Sequence, residues 1–177
     1  MDIIRIDSPV FREKLAGLRA GDRVFLSGPV YTARDAAHKR LLEMLDKGIE
    51  LPIELKNKVI YYAGPTPTPP GRAIGSCGPT TSSRMDVFTP RMLKLGIAAM
   101  IGKGDRSRET NEAIKQFGAV YFCALGGAGA LISKHIISAR EAAFADLGCE
   151  SIKELILSEL PLTVGTDSHG NSIFKEP

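Results

Sequence analysis

A chain of 177 residues, 44% hydrophobic and 24% charged, is long enough for one domain with its own core and too short for two comfortable ones, and its balance excludes a disordered or fibrous polypeptide. The net charge of +3 comes from scattered Lys and Arg with no basic run or interleaved aromatic stripe, which argues against a nucleic-acid partner and leaves small anions. No run approaches the ~18 consecutive apolar residues of a membrane span, and MDIIRIDSPVFREK is charged where a signal peptide needs an apolar centre, so a single cytoplasmic domain over 1–177 is expected.

Gly21-Asp22 is a turn signal, and RVFLSGPVYT after it predicts a strand over Arg23–Thr32, kinked at Gly28-Pro29. From Arg34 the positions Ala37, Leu41, Leu42, Met44 and Leu45 recur at helical spacing and Lys47-Gly48 closes the segment, which predicts a helix over Arg34–Asp46. Lys58–Ala63 reads as a buried strand. The following GPTPTPPGRAIGSCGP is dense in proline and glycine, a long loop of the kind compact domains keep for function. Thr81–Leu95 reads as helical in pieces, with Pro90 placed to start the second. IAAMIG (97–102) and AVYFCAL (119–125) are apolar runs flanking the helix-compatible SRETNEAIKQFG, a βαβ-like pattern. GGAGALISKHI predicts a Gly-rich turn opening a short helix, and ELILSELPLTVGTD with NSIF around Ser168-His169-Gly170 predicts a hairpin. Cys77, Cys123 and Cys149 match neither a disulfide framework nor a CxxC metal signature and read as reduced thiols in or near the core.

Three stretches combine charge, glycine and hydroxyl groups beyond what a core needs. In ARDAAHKR (33–40), Arg34 and His38 are spaced to share one face of a helix near its anion-attracting N-terminus, with Asp35 between them. In GPTTSSRMD (78–86), Gly-Pro makes a turn, Thr80, Thr81, Ser82 and Ser83 suit a helix cap, and Arg84 is a side chain able to grip a carboxylate with two prongs; Asp86 closes the stretch. In GKGDRS (102–107), Lys103 leaves the C-terminal end of a strand, where α/β folds place ligands, and Arg106 follows. No complete GxGxxG and no P-loop GKS/T accompanies it, so a nucleotide site is not indicated. Arg34, Arg84 and Lys103 together suit a dicarboxylate, yet no metal triad, cysteine cluster or Ser-His-Asp set is visible to activate one: the chain reads as half a site, with no residue assigned to a metal.

ARDAAHKR, YYAGP, GPTTSSRMD, GKGDRS and YFCALGGAGA, in this order from about Gly21 to Phe174, resemble the C-terminal region of iron-sulfur-dependent class I fumarases and the beta subunit of L(+)-tartrate dehydratase. The resemblance implies a swivelling-type β/β/α domain with a mixed β core and packed helices, where strand-helix alternation alone suggests a plain doubly wound sheet. It further implies a [4Fe-4S] cluster held by a partner alpha subunit, in an assembly such as α2β2, and a small dicarboxylate substrate. On this resemblance Arg34 and Arg84 bind carboxylates, Lys103 supports the substrate or its developing negative charge, and Thr80 takes part in proton transfer with a partner carboxylate. His38 joins the catalytic set, while Asp35, Thr81, Asp86 and Arg106 join the substrate-binding one. Ser82-Ser83 stands where fused fumarases typically have Ala-Gly. GKGDRS and GGAGA favour a fumarate hydratase, SHGN echoes the tartrate enzymes, and a non-catalytic dicarboxylate-binding module is the reading from another class.

Overall fold

The computed structural model of the chain describes residues 3–174. Ile4–Asp7, for which composition predicts no element, forms β1 by parallel pairing with β2 (Arg23–Thr32), Ile4 opposite Val24 and Asp7 opposite Ser27. A short helix, α1 (Arg12–Leu15), lies between them. β2 has the predicted bounds. Its kink is a register shift between Leu26 and Gly28, where φ is +95° and a Cβ would stand 2.5 Å from Ser8 O; only glycine suits both conditions.

Helix α2 covers Asp35–Asp46, one residue later than predicted, because Arg34 is extended (φ −119°, ψ −163°) and serves as the N-cap. β3 (Val59–Tyr61) is the centre of the predicted Lys58–Ala63 strand, and the Pro/Gly loop follows it. The pieces of Thr81–Leu95 are a 3-10 turn, Ser82–Met85, and α3 (Thr89–Lys94), with Pro90 in its first turn. β4 (Ala99–Gly102), α4 (Arg108–Phe117) and β5 (Val120–Cys123) form the expected βαβ unit, the two strands parallel and adjacent. Ser107 caps α4 by accepting from Thr110 N. The short helix after the glycines is α5 (Gly129–Ile132).

The last third departs furthest from the sequence reading. β6 (Ile136–Ala143) is an unpredicted strand, and β7 runs from Ile152 to Thr166 as a single 15-residue strand antiparallel to β6, β5 and β2. The expected hairpin shrinks to one bridge, Thr166 to Ser172, because the Asp167 carboxylate closes the turn itself by accepting from the backbone N–H groups of His169 and Asn171.

β2, β3, β4 and β5 are parallel neighbours in that order, and β7 pairs with both β5 and β2, so the mixed sheet closes into a barrel-like core instead of an open doubly wound layer. Alternate side chains divide between two apolar clusters. Val59, Tyr61, Ala99, Ile101, Val120 and Phe122 point into the barrel, while Ile60, Tyr62, Met100 and Tyr121 point out beneath α2, α3 and α4. Strands buried on both faces are why these segments read as continuous apolar runs. Among the described residues no helix is long and apolar enough to cross a membrane.

Candidate functional site

The parallel strands β2, β3 and β4 end on one side of the barrel, and the three predicted stretches leave from those ends or fold back onto them. Backbone hydrogen bonds stitch them together. Ala33 N donates to Tyr61 O (3.1 Å), Thr80 N to Tyr62 O (2.7 Å) and Ser82 N to Lys103 O (2.9 Å), with Thr81 bridged in parallel to Lys103. GPTT therefore behaves as a short strand laid between the ends of β3 and β4, which is how residues far apart in sequence become neighbours.

Arg84 Nε donates to Asp35 Oδ1 at 3.1 Å, and Arg34 Nε stands 3.9 Å from Asp35 Oδ2, so one carboxylate lies between the two guanidinium groups. Arg34 Nη2 is 3.3 Å from Glu150 Oε1, and the same carboxylate accepts from Ala36 N. Gly64 lets Arg34 lie close: a Cβ there would stand 3.0 Å from Nη1. Arg34 Nε and Asp35 Oδ2 are both buried without a hydrogen-bond partner, so the cluster retains polar capacity. Arg84 is more open, its side chain 54% exposed. Lys103 is half-buried and rests over Gly126 of the GGAGA loop, where a Cβ would stand 3.4 Å from its Cδ; among the described residues it has no acidic partner. Thr80 is half-buried and Thr81 exposed.

Three of the predicted site residues lie behind this surface. His38 does not share a face with Arg34, because Arg34 precedes the helix in an extended conformation while His38 turns into the core, 1% exposed. Its Nδ1–H donates to Arg34 O (2.8 Å), its ring stacks on Phe88 and meets Tyr62 edge-on, and burial lowers its pKa to about 4. Arg106 is fully buried, its guanidinium carbon 4.9 Å from the Tyr121 ring centre and 5.4 Å from that of Tyr62. Its Nε donates to Asp86 Oδ1 (2.6 Å) and its Nη2 to Thr89 Oγ1 (2.7 Å), while Asp86 Oδ2 accepts from Ser107 N. Asp86 and Arg106 thus join GPTTSSRMD to GKGDRS from within, and neither presents its charge outward.

The expected hydroxyl cap is absent: Thr81 begins the 3-10 turn without a side-chain cap bond, and Ser82 Oγ instead meets the Tyr121 hydroxyl. Sequence reasoning missed Tyr121 and Glu150. A polar tip within the apolar AVYFCAL run was the available signal for Tyr121, whereas Glu150 follows the unpredicted β6 and carries no local signal.

Cys77 is buried, its thiol pushed up to about 12 by burial, and Cys123 is half-buried; Cys149 is exposed, contrary to the expectation of a place in or near the core, because it lies in the surface turn before β7. Among the described residues no group of three His, Cys, Asp or Glu side chains is placed to hold a metal ion. A separate cleft of about 440 Å³ lies between the Pro-rich loop and β6, but its cations are already matched, Arg140 with Glu154 and Lys153 with Glu141.

Cations fixed at the carboxyl ends of parallel strands mark this as an α/β domain whose open side suits a small anion. Its family is plain from comparison: the chain belongs to the fumarase C-terminus family, whose model matches residues 1–177. It is 40% identical over 165 residues to a protein of Methanocaldococcus jannaschii provisionally named an L(+)-tartrate dehydratase subunit beta, covering 90% of this chain and 85% of that one. It is 36% identical over 167 residues to fumarate hydratase 2 of Leishmania major, covering 93% of this chain and 29% of that one. With the aerobic class I fumarate hydratase of Escherichia coli K12 the figures are 35% over 181 residues, 99% of this chain and 33% of the relative. The chain thus spans about a third of the fumarate hydratases and most of the beta subunit.

Proposed function

We propose that this chain is the beta subunit of a hydro-lyase that reversibly hydrates fumarate to L-malate and is completed by an alpha subunit. The observation that carries the reading is the placement of Arg34 and Arg84 on either side of Asp35, beside the bridge joining Thr81 to Lys103. Two planar guanidinium forks suit two carboxylates, and Asp35 holds them until a ligand takes up the same hydrogen-bonding capacity. Thr81 is open to the same ligand. Lys103, without an acidic partner among the described residues, is the cation free to stabilise charge developing on a substrate carboxylate.

Thr80 moves the proton at the reacting carbon. A threonine hydroxyl is a poor base, and the chain's own acids beside the arginines, Asp35 and Glu150, are held in ion pairs, so the carboxylate that takes the proton onward comes from the alpha subunit. His38, Asp86 and Arg106 act from behind: His38 holds the Arg34 carbonyl, and the buried Asp86–Arg106 pair holds the two loops. In this reading the barrel with its outer helices is the swivelling-type β/β/α core. The cysteines here do not fit a cluster, being buried, half-buried and exposed in turn, so the [4Fe-4S] group that the resemblance implies is the alpha subunit's. When bound it supplies a Lewis acid for the departing hydroxyl.

A second reading, dehydration of L-tartrate to oxaloacetate, is favoured by the match over 85% of the M. jannaschii beta subunit. Anaerobic co-expression with a cluster-bearing alpha subunit, then assays on fumarate, L-malate and L-tartrate, separates them: fumarate and malate turnover is expected. Turnover of tartrate alone selects the second reading, and inactivity of the loaded complex on all three leaves only a dicarboxylate-binding module. In the active complex Arg84→Lys is expected to lower kcat/KM on the order of a hundredfold, because a point charge replaces the fork.

A further inference from the structure

Ser82 sits in the middle of GPTTSSRMD, yet its side chain faces the interior. Its Oγ is 2.9 Å from the Tyr121 hydroxyl, which is also 2.8 Å from Gly104 O. A phenol has one proton and a carbonyl only accepts, so Tyr121 donates to Gly104 and accepts from Ser82. One buried hydroxyl thereby links the loop that carries Thr80 and Arg84 to the loop that carries Lys103. The junction has no slack: a Cβ at Gly102 would stand 1.9 Å from Ser82 Oγ and 2.9 Å from the Tyr62 ring. Burial pushes the Tyr121 phenol well above its ordinary range, and the Arg106 guanidinium over its ring adds a further contact, so the group is a fixed neutral donor.

We propose that Tyr121 is a positioning residue whose hydroxyl sets the Thr80–Arg84 segment in register with Lys103. The proposal rests on the reading above only in taking those three side chains to face the substrate. The bridge at Thr81–Lys103, with Ser82 N to Lys103 O, and the buried Asp86–Arg106 pair keep the two loops together; the Ser82–Tyr121–Gly104 chain adds a side-chain tie next to Thr80 and Lys103 themselves, and so governs how those stretches are set against each other. Displacement of a reacting group by about 1 Å costs on the order of a hundredfold in rate, so the effect of losing this tie belongs in kcat.

The test uses Tyr121→Phe, Ser82→Ala and the double variant, in the full chain and in the complex with its alpha subunit. In the chain, Tyr121→Phe is expected to speed amide hydrogen exchange about tenfold in both 80–84 and 103–106, the size of one lost buried hydrogen bond, while β1 and β6 stay unchanged. Ser82→Ala is expected to loosen 80–84 but not 103–106, since Tyr121 keeps its bond to Gly104; this variant decides the matter if Tyr121→Phe does not fold. In the complex, Tyr121→Phe is expected to lower kcat about ten- to a hundredfold with KM within about threefold, and the double variant to be no worse. Unchanged exchange in both stretches, or activity falling only with the folded fraction, overturns the proposal. If the wild-type complex turns over none of the three substrates the functional reading fails, and exchange by itself decides the role of Tyr121.

Discussion

At neutral pH His38 carries its single ring proton on Nδ1, committed to the Arg34 carbonyl, and burial makes a second proton expensive. Arg106 pushes in the same direction, while the Arg34 carbonyl and Asp35 oppose it. Its folded pKa of about 4 lies below the ordinary 6.5, so the unfolded chain takes up the proton first as pH falls. The associated stability is complete above pH 6.5 and is lost between 6.5 and about 4, roughly 3 kcal/mol over that window. Urea unfolding from pH 7.5 to 4.5 is expected to show this slope, and His38→Asn, whose amide N–H replaces the Nδ1–H, is expected to flatten it. An unchanged slope in the variant would place the titration elsewhere. Asp167 does not confuse the window: burial raises its pKa but is outweighed by bonds from Asn171, Ala20 and His169, so its contribution is lost only below the ordinary carboxylate range.

Among the elements, the two site loops are stabilised less by their own turns than by a charge pair placed beneath them. Asp86–Arg106 is buried and hydrogen-bonded to Thr89 and Ser107, and removing one partner strands the other charge. Arg106→Met is therefore expected to cost about 3–5 kcal/mol, a fall in Tm on the order of 10 °C for a chain of this size. Asp86→Leu added to it is expected to recover part of the loss, and strictly additive losses in calorimetry would deny the coupling. Elements with local signals were legible. β2 was marked by its turn and β-branched run, α2 by helical spacing, and the βαβ unit by apolar runs around a polar helix. β1 and β6 were not, since each is an edge strand defined by its neighbour, β1 by β2 and β6 by β7.

For the whole molecule, closure of the sheet through β7 and two buried clusters give the chain a core of its own, while the proposed function assigns completion of its site to an alpha subunit. The chain by itself is expected to unfold in a cooperative thermal transition, to develop no cluster absorbance when incubated anaerobically with iron and sulfide, and to turn over no dicarboxylate. Cluster formation on this chain without a partner would contradict the division of labour proposed here.

The sequence by itself determined the family, the strand-helix alternation, and the three stretches whose arginines, lysine and threonine form the candidate site. Those signals are local: propensity, turn chemistry and motif spacing act over a few residues. Only the tertiary structure decided which charges face outward. It turned His38 and Arg106 inward, brought Glu150 to Arg34 from the far end of the chain, and set Tyr121 between two loops. Burial and pairing of that kind depend on contacts between distant segments, above all the return of β7 across the sheet to β2, and no local pattern encodes them.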